Sequence, residues 1–167
     1  MPEVAHISLT KKVQGLEVHP NKFFKFTISL TKATKNQNYS IDLSQGSEEH
    51  DDMKNPIFIK TDNNGHASVD IYLKQNDKIV VNDLPLTAKY SIAEDDNNHT
   101  KEITVNGNKV ENVSQRNVAN EDVVFTNTFN YVLPTGFTNR HSIAIICAVI
   151  IITTLLLLIF ARKKIRH

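Results

Sequence analysis

Apolar and polar residues alternate with a period of two along much of the first 130 residues. In 24–30 every second side chain is apolar, and the same holds in 7–13 except at Lys11. This period is typical of strands with one buried face. Shorter runs predict further strands at Tyr39–Leu43, Ile57–Lys60, Ala67–Leu73, Lys78–Asn82, Lys89–Glu94, Glu102–Val105 and Val123–Phe129.

Turn-forming clusters separate these runs, among them 62–65, 83–85 and 95–98, which are rich in Asp, Asn, Gly and Pro. The polar stretch from Asn106 to Asp122 predicts a long loop. Many short strands at this spacing favour an all-β fold. We therefore expect an antiparallel, immunoglobulin-like β-sandwich over residues 1–130.

A continuous apolar segment of 18 residues runs from Ile143 to Phe160. As a helix it would span roughly 27 Å, close to a hydrocarbon core of about 30 Å. Basic residues follow it within 162–167, as cytoplasmic flanks favour. The pattern predicts one C-terminal transmembrane helix over 143–161, a cytoplasmic tail over 162–167 and an extracellular sandwich. A buried core helix and a tail-anchored protein with a cytosolic N-terminal part are the alternatives.

The tetrapeptide Leu133-Pro134-Thr135-Gly136 lies shortly before this segment, within a predicted linker over 131–142. Short polar motif, apolar segment and basic end together resemble the cell-wall sorting signal of Gram-positive surface proteins. The resemblance implies that a sortase cleaves the Thr135–Gly136 bond and joins Thr135 to an amine of peptidoglycan or of a neighbouring pilin subunit. The commonest signal has one residue between Pro and Thr, so this form is more similar to the Val-Pro-Thr-Gly variant of some pilins.

Charge is distributed unevenly, which a net charge of +1 conceals. All 18 acidic residues precede the linker, whereas the C-terminal end is basic. The acidic sandwich offers no basic patch for nucleic acid. The only cysteine of the sequence, Cys147, lies in the apolar segment, so no disulfide within the exported part can stabilise it. Export also requires a signal peptide. Residues 1–4 do not resemble the start of one, so we expect the signal peptide in a longer form of the chain.

Three polar residues interrupt the apolar faces of predicted strands. Lys11 lies on the same face as Leu9 and Val13. Glu94 lies on the face of Tyr90 and Ile92, and Asn127 lies on the face of Val123 and Phe125. A desolvated lysine can lose its proton and become a nucleophile. A buried carboxylic acid can donate to an amide carbonyl oxygen and transfer protons to the leaving group. The product would be a Lys–Asn isopeptide bond, formed without a cofactor or a metal.

The order of short motifs between Ile7 and Thr128 is similar to the streptococcal T-antigen-like major-pilin domain. The motifs are Phe24-Lys25-Phe26-Thr27-Ile28, Leu84-Pro85, Tyr90-Ser91-Ile92-Ala93-Glu94 and Val124-Phe125-Thr126-Asn127-Thr128. In such domains a Lys on the first strand is bonded to an Asn on the last, assisted by an acidic residue. The resemblance implies Lys11, Asn127 and Glu94 for these roles. Lys12 and Asn130 are alternatives, and so is a plain ion pair between Lys11 and Glu94.

These features predict a structural cell-surface protein, either a pilin-like subunit or a wall-anchored adhesin, rather than an enzyme. Glu94 has no second carboxylate on its predicted face, as a glycosidase pair would need. The alternative is an uncleaved single-pass membrane protein with an extracellular ligand-binding module. A pilin shaft also needs an acceptor lysine, for which Lys54, Lys60 and Lys74 are candidates.

Overall fold

The computed structural model describes residues 3–15, 21–44, 50–53, 56–95 and 100–129. They all belong to the first of two units, Met1–Tyr131 and Val132–His167. The predicted sorting motif, membrane helix and basic tail therefore lie outside the described residues. Within the described ranges, no helix is long and apolar enough to cross a membrane.

Eleven strands make up the described part of the chain, which confirms the predicted all-β class. They are β1 Val4–Gly15, β2 Phe24–Thr31, β3 Asn38–Leu43, β4 Ile57–Lys60, β5 Ala67–Leu73, β6 Lys78–Pro85, β7 Lys89–Glu94, β8 Thr100–Val105, β9 Asn108–Val110, β10 Val113–Asn117 and β11 Glu121–Phe129. One sheet has the order β4-β3-β6-β1-β11-β8-β9, and the other has the order β10-β7-β2-β5.

The first and last strands, β1 and β11, lie side by side and run parallel. The prediction of a purely antiparallel fold is therefore wrong at this pair, whereas the other strand pairs of the described ranges are antiparallel. Alternation along a strand identifies its buried face but not the direction of its neighbour. The parallel pair brings residues from opposite ends of the sequence onto one inner face.

The inner faces of the two sheets share one apolar core. In β2 the burial alternates along the strand, with Phe24, Phe26, Ile28 and Leu30 buried. The Phe26 ring packs edge-on against Phe125 of β11, with a centroid distance of 5.3 Å. This contact joins the two sheets near the middle of the sandwich.

Two segments that were predicted as turn or loop form strands instead. β9 and β10 lie within 106–122, at sheet edges where few side chains face the core. The 83–85 cluster continues β6, because a positive φ at Asp83 accompanies a register shift against β1 and leaves Leu84 fully buried. A bulge of this kind adds a residue to one strand without ending the pairing.

The tight turn at 62–65 was predicted from its residue types, and the structure confirms it. Asp62 accepts hydrogen bonds from the main-chain N–H groups of Asn64 and His66, each at 2.8 Å. Gly65 has φ +77°, and a Cβ placed there would lie 2.2 Å from the carbonyl oxygen of Ala33. This position therefore needs glycine both for its φ and for the space beside Ala33.

Gly65→Ala is expected to lower the free energy of unfolding by about 3 kcal/mol, through the left-handed φ and the overpacking. Gly107 is a matched control, because it has φ +78° but nothing within 4 Å of an added Cβ. Gly107→Ala should cost only about 1 kcal/mol. Urea unfolding of both variants measures the difference, and equal losses would show that Ala33 does not constrain this turn.

Candidate functional site

Strand register brings the three inward polar residues to one place in the core. Lys11 pairs with Phe125 across the parallel strands, and Val13 pairs with Asn127, so Lys11 and Asn127 are diagonal neighbours on one face. Glu94 ends β7 in the opposite sheet, where it pairs with Phe26. The site therefore lies between the two sheets, with two of its residues on one sheet and one on the other.

One carboxylate oxygen contacts both nitrogen atoms of the site. Lys11 Nζ donates to Glu94 Oε1 at 2.7 Å, and Asn127 Nδ2 donates to the same oxygen at 2.6 Å. The side chains of Lys11 and Glu94 have no solvent exposure, and Asn127 is fully buried. The two nitrogens can thus be no farther apart than the sum of these two distances.

The orientation of the Asn127 amide differs from the one that the sequence argument used. Its nitrogen faces Glu94, whereas Oδ1 is buried and has no hydrogen-bond partner among the described residues. Glu94 is therefore an acceptor from both neighbours rather than a donor to the amide oxygen. A buried amide oxygen without a donor is costly and is a reason to look for a chemical role.

Aromatic rings form the walls around the amine. Lys11 Nζ lies 4.3 Å from the centroid of Phe24 and 5.8 Å from that of Phe26. Such a site keeps water away, so charges that no opposite charge balances are strongly disfavoured. It also brings a nucleophilic nitrogen, a proton acceptor and an amide together, which are the groups that acyl transfer from Asn to Lys requires.

A second lysine, Lys101, contacts the same carboxylate, although it was not among the predicted site residues. Its Nζ lies 3.5 Å from Glu94 Oε2 and donates to the main-chain oxygen of Glu94 at 3.2 Å. Oε2 makes no hydrogen bond in the described part of the chain, so its contact with Lys101 is an ion pair alone. Lys101 is opposite Asn127 in the β8–β11 register. Its inward face could have been inferred if the predicted strand had begun at residue 100 instead of Glu102, because Lys101 then alternates with Ile103 and Val105.

The alternative residues of the sequence analysis have different positions. Lys12 is exposed and lies on the opposite face of β1 from Lys11, and Asn130 lies outside the described residues. Among the acceptor candidates, Lys60 is exposed on β4, whereas Lys54 is not described. Lys74 is only 8% exposed, and its Nζ lies 4.7 Å from the Phe23 ring centroid, so burial argues against an acceptor role.

Another polar cluster joins Tyr90, Glu121 and Arg116. The Tyr90 hydroxyl donates to Glu121 Oε2, and Arg116 Nη2 donates to Oε1 at 2.9 Å. Burial, and then the hydrogen bond with Glu121, raise the pKa of Tyr90 well above its usual value. The hydrogen bond with Glu121 also raises the pKa of Arg116. This cluster connects β7 and β10 to β11, which is a structural role.

No group of three or more His, Cys, Asp and Glu side chains in the described ranges could hold a metal ion.

Several solved structures of pilus proteins share this fold. The major pilin protein T3.2 of Streptococcus pyogenes is 16% identical with a TM-score of 0.58, covering 76% of this chain and 45% of the pilin. A second major pilin of Streptococcus pyogenes is 21% identical with a TM-score of 0.54, covering 75% and 47%. The pilus-presented adhesin Cpa is 21% identical with a TM-score of 0.52, covering 76% and 28%.

These identities are low, so the likeness shows a shared fold. The chain also spans less than half the length of each of these structures. None of the curated proteins matches the sequence. The family described as a domain of unknown function (DUF7601) matches residues 5–129, which are most of the sandwich. The chain therefore belongs to the DUF7601 family.

Proposed function

We propose that this chain is a structural cell-surface protein, a pilin-like or wall-anchored adhesin subunit, whose sandwich is closed by a Lys11–Asn127 isopeptide bond. The observation that carries the proposal is the buried contact of Lys11 and Asn127 with one oxygen of Glu94. The fold shared with pilins and a pilus adhesin supports a surface role. The sorting-signal resemblance of 133–136 supports attachment to the wall or to a neighbouring subunit.

The bond forms by transfer of the Asn127 acyl group to the neutral Lys11 amine. Nζ attacks Cγ, and a new C–N bond forms. A proton passes from Nζ to Glu94 Oε1 and then to Nδ2, with which the same oxygen is already in contact. The Cγ–Nδ2 bond breaks, ammonia leaves and Glu94 returns to its starting state. Glu94 thus acts as base and then as acid, and the reaction needs no cofactor.

The proposed bond joins neighbouring strands that lie at opposite ends of the sequence. Between Lys11 and Asn127 it would enclose nearly the whole sandwich in one covalent loop. By the loop-entropy estimate used for disulfides, a loop of this length stabilises the folded state by about 5 kcal/mol. The described residues contain no cysteine, so this bond would provide the stabilisation that disulfides give to many exported domains.

Sortase attachment predicts that the chain is cut at Thr135–Gly136. We expect the full chain, exported by a Gram-positive host behind a signal peptide, to enter the wall fraction with Thr135 as its last residue. Thr135→Ala should remain in the membrane fraction at full length. The matched control Thr138→Ala removes a nearby hydroxyl outside the motif and should behave as the unchanged chain.

Fractionation followed by C-terminal peptide mass measurement distinguishes these outcomes. An intact Thr135–Gly136 bond in a membrane-bound product would contradict sortase attachment. It would favour instead the uncleaved single-pass membrane protein with an extracellular ligand-binding module.

A further inference from the structure

Lys101 places a second cation on the carboxylate that contacts Lys11 and Asn127. We propose that Lys101 is a positioning residue that balances the charge of Glu94 and thereby keeps the Lys11 amine neutral and nucleophilic. This inference rests on the proposed isopeptide function, since it concerns the same site. Lys101 contacts Glu94 through Oε2 and the main-chain oxygen, and Lys11 contacts Oε1, so the two lysines do not compete for one atom.

The site holds more groups that can be positive than groups that can be negative. The two lysines can carry two positive charges, whereas Glu94 can carry only one negative charge. A further cation in a water-free site is disfavoured both by desolvation and by repulsion from its neighbour. One of the two lysines is therefore expected to give up its proton.

Solvent exposure decides which lysine becomes neutral. The Lys101 side chain is 24% exposed, whereas the Lys11 side chain is fully buried. Water can hydrate the Lys101 ammonium group, and the Glu94 carbonyl oxygen accepts one of its hydrogens. Phe24 and Phe26 lie beside the Lys11 nitrogen, and these apolar rings cannot replace the water that a charged amine would lose. The charge therefore stays on Lys101, and Lys11 has the free electron pair that attack on Asn127 requires.

Lys22 is another cation near the Phe24 ring. Its Nζ lies 4.9 Å from the Phe24 centroid and 5.3 Å from the Phe129 centroid. Lys101 Nζ, by contrast, lies 3.5 Å from Glu94 Oε2. Lys101 is therefore the residue to change if the charge on Glu94 controls Lys11.

The first test is the rate of ammonia loss by the full-length chain. The chain is made by cell-free translation in detergent, synthesis is stopped, and intact mass is followed over time between pH 6 and 9. Lys101→Met is expected to slow the reaction about tenfold at pH 7, which corresponds to about one Lys11 amine in ten being neutral at that pH. Its rate should rise with pH, because deprotonation of Lys11 then limits the reaction, whereas the unchanged chain should vary little.

Two variants separate this role from packing. Lys101→Arg keeps the charge and should retain the rate and pH profile of the unchanged chain. Lys109→Met removes an exposed cation from the same hairpin, where it pairs with Glu102 rather than Glu94, and should have no effect. An unchanged rate and pH profile in Lys101→Met would overturn the proposal.

A second test does not depend on bond formation. In an Asn127→Ala chain, which has no amide to attack, the carbon-13 shift of Lys11 Cε reports directly whether the amine is charged. We expect a neutral Lys11 at pH 7 when Lys101 is present and a charged Lys11 when Lys101→Met is added. The same Lys11 state in both chains would refute the role of Lys101. Failure of the isopeptide function would appear separately, as a wild-type chain that never loses ammonia.

Discussion

Under tension, Asn127→Ala is expected to extend by about 400 Å more than the unchanged chain. Handles attached at Glu3 and Tyr131 pull on the start of β1 and the end of β11. Lys11 and Asn127 are 116 positions apart in sequence, and each residue of extended chain adds about 3.4 Å. With the bond in place these residues cannot extend, because force passes from Lys11 directly to Asn127.

This expectation follows from the parallel register of β1 and β11. The start of β1 and the end of β11 lie at opposite ends of the pair, so pulling on them shears one strand along the other. Without a covalent bond, the hydrogen bonds between the strands carry this load until they break. The bond would remove that limit, which is the property that a fibre subunit under tension needs when it has no disulfides.

Single-molecule force spectroscopy measures the extension directly. Lys12→Ala is the matched control, since Lys12 is exposed on the opposite face of the same strand, and it should extend no further than the unchanged chain. If the unchanged chain extended as far as Asn127→Ala, force would not be passing through a covalent bond between β1 and β11.

Most strands of the core were predictable because their burial alternates as their sequence does. β2 is the clearest case, since its four apolar residues are all buried and the residues between them are only partly buried. β9 and β10 were missed because they are edge strands in which Val113 is the one buried residue, and a positive φ at Gln115 interrupts the period. The β1–β11 pairing is set by packing between distant segments, which no local pattern records.

The same alternation pointed to Lys11, Glu94 and Asn127, because an inward polar residue stands out on an apolar face. It could not give the orientation of the Asn127 amide, which depends on atoms of three strands. Nor did it identify Lys101, which lies at the start of β8 and reaches Glu94 only because β8 pairs with β11. Residues at strand ends lack the flanking alternation by which a pattern assigns them to a face.

Changes at the three residues of the proposed reaction are expected to alter the mass of the chain. Lys11→Ala and Asn127→Ala remove the nucleophile and the acyl group, so each should keep its full sequence mass. Glu94→Gln keeps the shape of the side chain but cannot carry the proton from Nζ to Nδ2, and should also keep its full mass. Asn127→Asp would lose water rather than ammonia if it reacts, because the oxygen then leaves in place of the nitrogen.

Intact mass of the purified full-length chain, measured beside Lys11→Ala, Glu94→Gln and Asn127→Ala, decides whether the Lys11–Asn127 bond forms. We expect the unchanged chain to be lighter than its sequence mass by one ammonia and all three variants to match their own sequence masses. A folded chain with its full sequence mass would rule the bond out and leave Lys11, Glu94 and Asn127 as a buried hydrogen-bonded group.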